Sequence, residues 1–247
     1  MNEDFDAFDE YAMQYDMDEE MIVYKYNHTY RVVHQAEEIC RSINLDTEER
    51  DLASLIALLH DIARFKQWTE YQTYKDALSF DHGDMGAKIL FEDGLIKKFN
   101  AKEEDYDLIK KAIINHNKFE INKEFNDREK LHCKIIRDAD KIDIIYAFST
   151  WKLLRAEEDD ENITEEVKDD FFRHESVLKA HVKNKNDVIA LMFSMVFDLN
   201  YEYSENRILE EKYLEKFYEG LKHKEIFKPY LDEAIKYLKG KKKNVRK

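Results

Sequence analysis

The chain has 247 residues and a formal net charge of −14, with 43% hydrophobic and 38% charged residues. Five glycines and one proline disfavour turn-rich β architectures and long linkers, and the acidic balance weighs against a partner made of nucleic-acid polymer. No apolar run approaches the ~20 residues of a membrane span, and the N-terminus lacks a basic-then-apolar leader, so the sequence reads as a cytoplasmic protein without a membrane partner.

In chain order, the acidic opening segment 1–20 is followed by "MIVYKYNHTYRVVHQAEEICRSI" (21–43), apolar at helical spacing. The stretch 46–65, "DTEERDLASLIALLHDIARF", reads as one helix. It opens with Asp46 and, three residues on, Glu49, a capping-box-like start. An irregular aromatic stretch, "KQWTEYQTYKDALSFD" (66–81), comes next, and its part 67–80 reads either as a lid or as plain packing. Helices follow at 82–94, 104–119 and 130–156, and the pattern stays helical after Glu157. Pro229 is expected to open the last helix, "YLDEAIKYLKG". The basic end "KGKKKNVRK" reads as a frayed terminus. Cys40 and Cys133 fall in apolar helical patterns and read as reduced core residues. The expectation is a single all-α domain over 1–247, with a core at 21–150 and a C-terminal helical subregion at 151–247.

Polar residues interrupt the apolar faces at recurring places. Leu52, Leu55, Ile56, Leu59 and Ala63 form one stripe, and Ala53, Ala57, His60 and Arg64 run beside it, with Asp61 on the adjoining strip. His28 shares a face with Val32 and Gln35. Gly86 and Ile89 follow His82, and that glycine permits close packing. His116 completes the stripe of Ile109, Ala112 and Ile113, and Asp140 lies between Ile136 and Ile144. Any one of these is a satisfied core residue more often than a ligand. His34, His132, His174, His181 and His223 keep that reading. Six imidazoles and carboxylates on faces that meet in one core are different, because burying them together demands a cation. Mixed imidazole and carboxylate donors suit Fe, Mn, Co, Ni or Zn, with Mg as a further candidate.

This ordered set, His28, His60-Asp61 and Asp140, resembles the HD-domain metal-dependent phosphohydrolase superfamily. The resemblance rests on "NHTYRVV", "LLHDIARF", "DHGDMGA", "IINHN" and "IRDADKID", spanning Asn27 to Phe148, with Ala63 where that pattern often has glycine. After Trp151 it is less specific. It implies a helical bundle with additional C-terminal helices, and one ion held by His28, His60, Asp61 and Asp140. His82 and His116 stand where dinuclear members carry two further histidines, which implies a second ion shared through Asp61. The pair His116-Asn117, in place of two histidines, argues against the cyclic-dinucleotide class. The implied activity is hydrolysis of a phosphoester or phosphoanhydride of a small molecule, a nucleotide above all, by a metal-activated water. Asp61, Arg64 and Lys141 are the candidate catalytic residues, Arg64 and Lys141 also as binders of substrate phosphate. Lys141 could instead pair with Asp81 or Asp143, which are otherwise candidates for orienting the histidines. A nucleotide-sensing module without turnover and a di-iron oxygenase stand as competing classes. The sequence admits a homodimer without specifying one.

Overall fold

The computed structural model describes residues 2–150, 157–159 and 162–245, with 242–245 as backbone only. Among the described residues the chain is helical throughout and has no strand, as the sequence led one to expect. It divides into two compact units, Met1–Asp140 and Lys141–Lys247.

The first unit opens with a helix that the acidic composition concealed, α1 (Asn2–Ala12). Its Ala7, Phe8, Tyr11 and Ala12 recur at helical spacing and are buried. Phe8 packs edge-on against Phe65 with ring centroids 5.9 Å apart, so the core begins ahead of residue 21. Helix α2 (Glu20–Ser42) buries Tyr24, His28, Val32, Gln35 and Ile39 along one face, which carries a histidine into the interior. Asp46 caps α3 (Thr47–Leu59) by accepting the Glu49 amide at 3.0 Å. Glu49 does not close the box. Its carboxylate lies 2.6 Å from His132 Nε2 and accepts Arg128 Nε at 2.7 Å.

The expected continuous helix over 46–65 is interrupted. Helix α3 ends at Leu59, His60–Ile62 form a tight turn, and α4 (Ala63–Tyr71) begins anew. The amides of Ile62 and Arg64 reach back three residues, to Leu59 O and Asp61 O. The His60 ring donates to Ala57 O at 2.7 Å, occupying the carbonyl that the Asp61 amide would use in an unbroken helix. The local rewinding turns the His-Asp doublet out of simple helical register.

Helix α5 (His82–Ala87) is short and passes into a wider turn at Lys88–Glu92. Helices α6 (Tyr106–Asn115) and α7 (Asp127–Thr150) follow, with 127–140 of α7 in the first unit. The expected continuation over 151–156 lies outside the described residues.

The second unit holds α8 (Glu165–Phe172), α9 (Lys185–Ser194), α10 (Glu202–Glu210), α11 (Tyr213–Glu219) and α12 (Lys224–Val245). Phe171, Phe193 and Phe227 are fully buried there, and Phe171 meets Tyr230 at 4.7 Å between ring centroids. Helix α9 starts with a full capping box between Asn184 and Asp187. Pro229 does not open the last helix but sits inside α12, which starts five residues earlier at Lys224. As the sixth residue of α12 it lies past the first turn and forfeits one backbone bond, to the carbonyl four residues back. The basic end is helical to Val245 rather than frayed, and 246–247 lie outside the described residues. Cys40 and Cys133 are free and buried, and burial pushes both thiols up to about 12.

Candidate metal centre

All six residues singled out as metal ligands lie in the first unit, and their side chains converge. His28 comes from the buried face of α2, and His60 and Asp61 from the turn after α3. His82 opens α5, His116 follows the last residue of α6, and Asp140 sits in α7. The Asp61 carboxylate stands at the centre. Its Oδ2 is 3.3 Å from His28 Nε2 and 3.5 Å from His60 Nε2. Its Oδ1 is 3.6 Å from His82 Nε2 and 3.8 Å from His116 Nε2. On the His28 side, Asp140 Oδ1 lies 3.3 Å from His28 Nε2 and 3.8 Å from His60 Nε2.

The outer nitrogens of His60, His116 and His82 are committed, which fixes the tautomers of these three. His60 Nδ1 donates to Ala57 O, and His116 Nδ1 donates to Ile113 O at 2.6 Å. His82 Nδ1 donates to the Asp76 carboxylate at 2.8 Å. Each ring therefore turns a lone pair at Nε2 toward the centre. His60 Nε2 is buried without a hydrogen-bond partner. His82 Nε2 and His116 Nε2 stand 3.0 Å apart with lone pairs facing. Two acceptors at that distance repel unless a cation lies beside them. The Arg64 guanidinium, 3.2 Å from His82 Nε2, offers a donor there.

Protonation of His82 does not resolve the conflict near neutral pH. Burial, despite the pull of Asp61 and Asp140, lowers His60 to about 4. Burial and Arg64 lower His82 to about 3, against the Asp76 bond. Burial alone would raise the two aspartates. Lys25, His60 and Arg64 instead hold Asp61 well below the usual carboxylate range, and His28 and His60 do the same for Asp140. Neutral imidazoles and ionised carboxylates with inward lone pairs are what a divalent transition metal requires, so the donor set fits such an ion.

Several supporting residues escaped the sequence reading. Lys25, three residues before His28 on α2, places Nζ 2.6 Å from Asp61 Oδ2. Asp76 orients His82 from the irregular stretch, and Gln67, fully buried, donates to Asp76 Oδ1, Ser79 Oγ and Phe80 O. Arg137 in α7 gathers the carbonyls of Asn115, Lys118 and Phe119 at 3.1, 2.5 and 3.1 Å, which pins the turn bearing His116. The stretch proposed as a lid is thus partly site wall. Its Tyr74 carbonyl accepts Arg64 Nη1 at 2.8 Å, and its Tyr74 hydroxyl donates to Met21 O at 2.7 Å.

The remaining candidates are placed as follows. Arg64 is engaged on every side. Nε donates to Asp61 Oδ1 at 3.3 Å, Nη1 to Gln67, Tyr74 O and Asp76, and Nη2 faces His82. Lys141 belongs to the second unit and pairs with Asp198 at 2.7 Å. Asp81 caps α5 through the amides of Gly83 and Asp84, and takes Asn117 and Lys118 as side-chain partners. Asp143 is buried on α7.

Gly83 explains the glycine of "DHG" better than any conformational argument. A Cβ there would meet Ile113 O at 2.9 Å, Ile114 O at 3.1 Å and Asn117 Oδ1 at 3.1 Å. The close approach of α5 to the end of α6 falls at Gly83 more than at Gly86, where the nearest atom would be an Ile113 methyl at 3.4 Å. Gly83→Ala is expected to separate His82 from His116 and to destabilise the first unit by about 1–3 kcal/mol. Denaturant unfolding together with metal titration checks this, and unchanged values for both would refute it.

Residues 26–145 match the family model described as HD domain. No curated protein and no solved structure matches the chain. No helix among the described residues is long and apolar enough to cross a membrane. The matched segment contains the convergent histidines and aspartates, and residues 26–145 are an HD domain.

Proposed function

We propose that the chain hydrolyses a phosphoester or phosphoanhydride bond of a small phosphorylated compound, a nucleotide being the favoured class, with two divalent ions bridged by Asp61. The observation that carries this reading is the division of the Asp61 carboxylate. One oxygen faces His28 and His60, with Asp140 beside them, and the other faces His82 and His116. His28, His60, Asp140 and Asp61 would hold the first ion, and His82, His116 and Asp61 the second. When bound, such ions supply Lewis-acid charge and an activated water for attack on phosphorus.

The chain's own residues supply position and field. Asp76 holds the His82 ring with its lone pair inward, and the Ala57 and Ile113 carbonyls do the same for His60 and His116. Asp61 and Asp140 carry two negative charges, while Lys25 and Arg64 stand beside Asp61. Loaded with two divalent ions, the site is strongly electropositive within an acidic protein, which suits a compact phosphate-bearing anion. Arg64 enters this proposal chiefly as the group that joins Asp61, Asp76 and His82. It binds substrate phosphate only by releasing one of those bonds. Lys141 likewise reaches a phosphate only by leaving Asp198.

Protein stripped with a chelator should release no phosphate from a panel of nucleotides, dinucleoside polyphosphates, cyclic nucleotides and sugar phosphates. Adding back Mn, Fe, Co, Ni, Zn or Mg singly should restore turnover with at least one of them. Undiminished hydrolysis in the stripped protein would refute the reading. Oxygen consumption by the reduced iron form, or nucleotide binding without turnover under every metal, would move the chain to one of the competing classes.

A further inference from the structure

Lys25 is an unusual neighbour for a metal centre. Its side chain is 9% exposed, and its ammonium contacts the same Asp61 oxygen that faces His28 and His60. It is held in a built pocket. The Tyr74 ring centroid lies 5.4 Å from Nζ and that of Tyr24 5.6 Å away. The Tyr74 hydroxyl bond to Met21 O ties that ring back onto α2, the helix that bears Lys25. The ammonium is therefore confined beside Asp61 Oδ2 rather than free to swing into solvent.

We infer that Lys25 is a built-in competitor for the metal at Asp61: it neutralises the buried carboxylate when the ion is absent and lowers the affinity of the His28–His60–Asp140 side for a divalent cation. The inference rests on the dinuclear reading above. An ion held by His28 and His60 draws on Asp61 Oδ2, the oxygen that Lys25 already contacts. A divalent ion and an ammonium sharing one carboxylate oxygen repel strongly in a site with little water. Loading must either push the ammonium off Oδ2 or proceed against its charge, and in both cases Lys25 weakens binding. The same ammonium shields Asp61 from the other carboxylate, Asp140, in the metal-free protein, so the empty site keeps its shape.

The test is calorimetric titration of chelator-stripped full-length protein with Mn²⁺, alongside thermal unfolding with and without the ion. Lys25→Met keeps the apolar stem between the two tyrosine rings and removes the charge. It should bind Mn²⁺ at least about tenfold more tightly than wild type. Its metal-free Tm should fall, and its Mn²⁺-induced rise in Tm should exceed that of wild type. Lys25→Arg keeps the charge and should leave the affinity near the wild-type value. Lys25→Gln is neutral but retains a donor for Oδ2, so it should also bind more tightly, and it serves if Lys25→Met does not fold. Equal or weaker Mn²⁺ binding by the neutral variants, with wild type binding normally, overturns this inference and leaves the proposed function standing. Absence of Mn²⁺ binding by wild type overturns both.

Discussion

Asp61→Asn should abolish turnover and strip the protein of bound metal. The carboxylate has two equivalent oxygens, and the structure uses both, one toward His28 and His60 and the other toward His82 and His116. An amide of the same shape offers one oxygen and one NH2 group. Whichever way it turns, one set of imidazole lone pairs meets hydrogen-bond donors instead of a shared anionic ligand. The loss of activity should reach at least about 10³-fold, beyond the 10–100-fold typical when only a ligand's supporting bond is removed. Part of the effect is structural. Lys25 at 2.6 Å and Arg64 at 3.3 Å lose their buried counter-charge, which should lower stability by up to about 3 kcal/mol. Metal content by elemental analysis and initial rates, measured at a temperature where circular dichroism shows native helix content, separate the two contributions. A folded variant that retains wild-type metal and rate would remove Asp61 from the centre of the site.

What the sequence carried of this site is uneven, and the reason is periodicity. His28, His60, His116 and Asp140 interrupt apolar helical stripes, and a stripe is visible to anyone counting threes and fours. Asp76 was invisible because it lies in the irregular stretch between α4 and α5, where no period says which way a side chain points. Lys25 had a signal that went unused. It stands three residues before His28, on the face that buries Val32 and Gln35, and a lysine on such a face needs an anion. The break at His60–Ile62 was equally hidden, since it arises from a side-chain bond to Ala57 O rather than from a glycine or proline. Arg64 shows the limit of reasoning from residue type. An arginine one turn past an aspartate invites a phosphate, yet in the fold its donors are spent on Asp61, Gln67, Tyr74 O and Asp76. In the fold as a whole, α1 was masked by acidic composition although Ala7, Phe8, Tyr11 and Ala12 had the spacing of a buried face. The start of α12 was misplaced because proline is a preference for a helix start, not a rule.

His82→Ala and His116→Ala should each reduce the metal stoichiometry from two ions per chain to one while leaving the fold intact. Both imidazoles face Asp61 Oδ1, and although the His116 ring stands edge-on to His60 at 5.2 Å between centroids, the donors His28, His60, Asp140 and Asp61 Oδ2 stay in place. Removing either ring also ends the opposition of lone pairs at 3.0 Å, so the metal-free variants should be no less stable than the loss of a buried ring alone would dictate. Turnover should fall by at least about 10²-fold, because the second ion's share of the charge on the transferring group is lost. Asp76→Asn gives a graded version of the same experiment. It keeps the His82 ring but removes the carboxylate that fixes its Nδ1 proton at 2.8 Å, and should weaken only the second ion, by about 10–100-fold. His28→Ala should act on the opposite side, weakening the first ion and sparing the pair formed by His82 and His116. Elemental analysis of purified variants, followed by titration of the stripped proteins, distinguishes these patterns. A wild-type protein that binds a single ion, with His82→Ala and His116→Ala retaining it at full affinity, would reduce the centre to His28, His60, Asp61 and Asp140. The two further histidines would then be left as core residues held by Asp76 and Ile113 O.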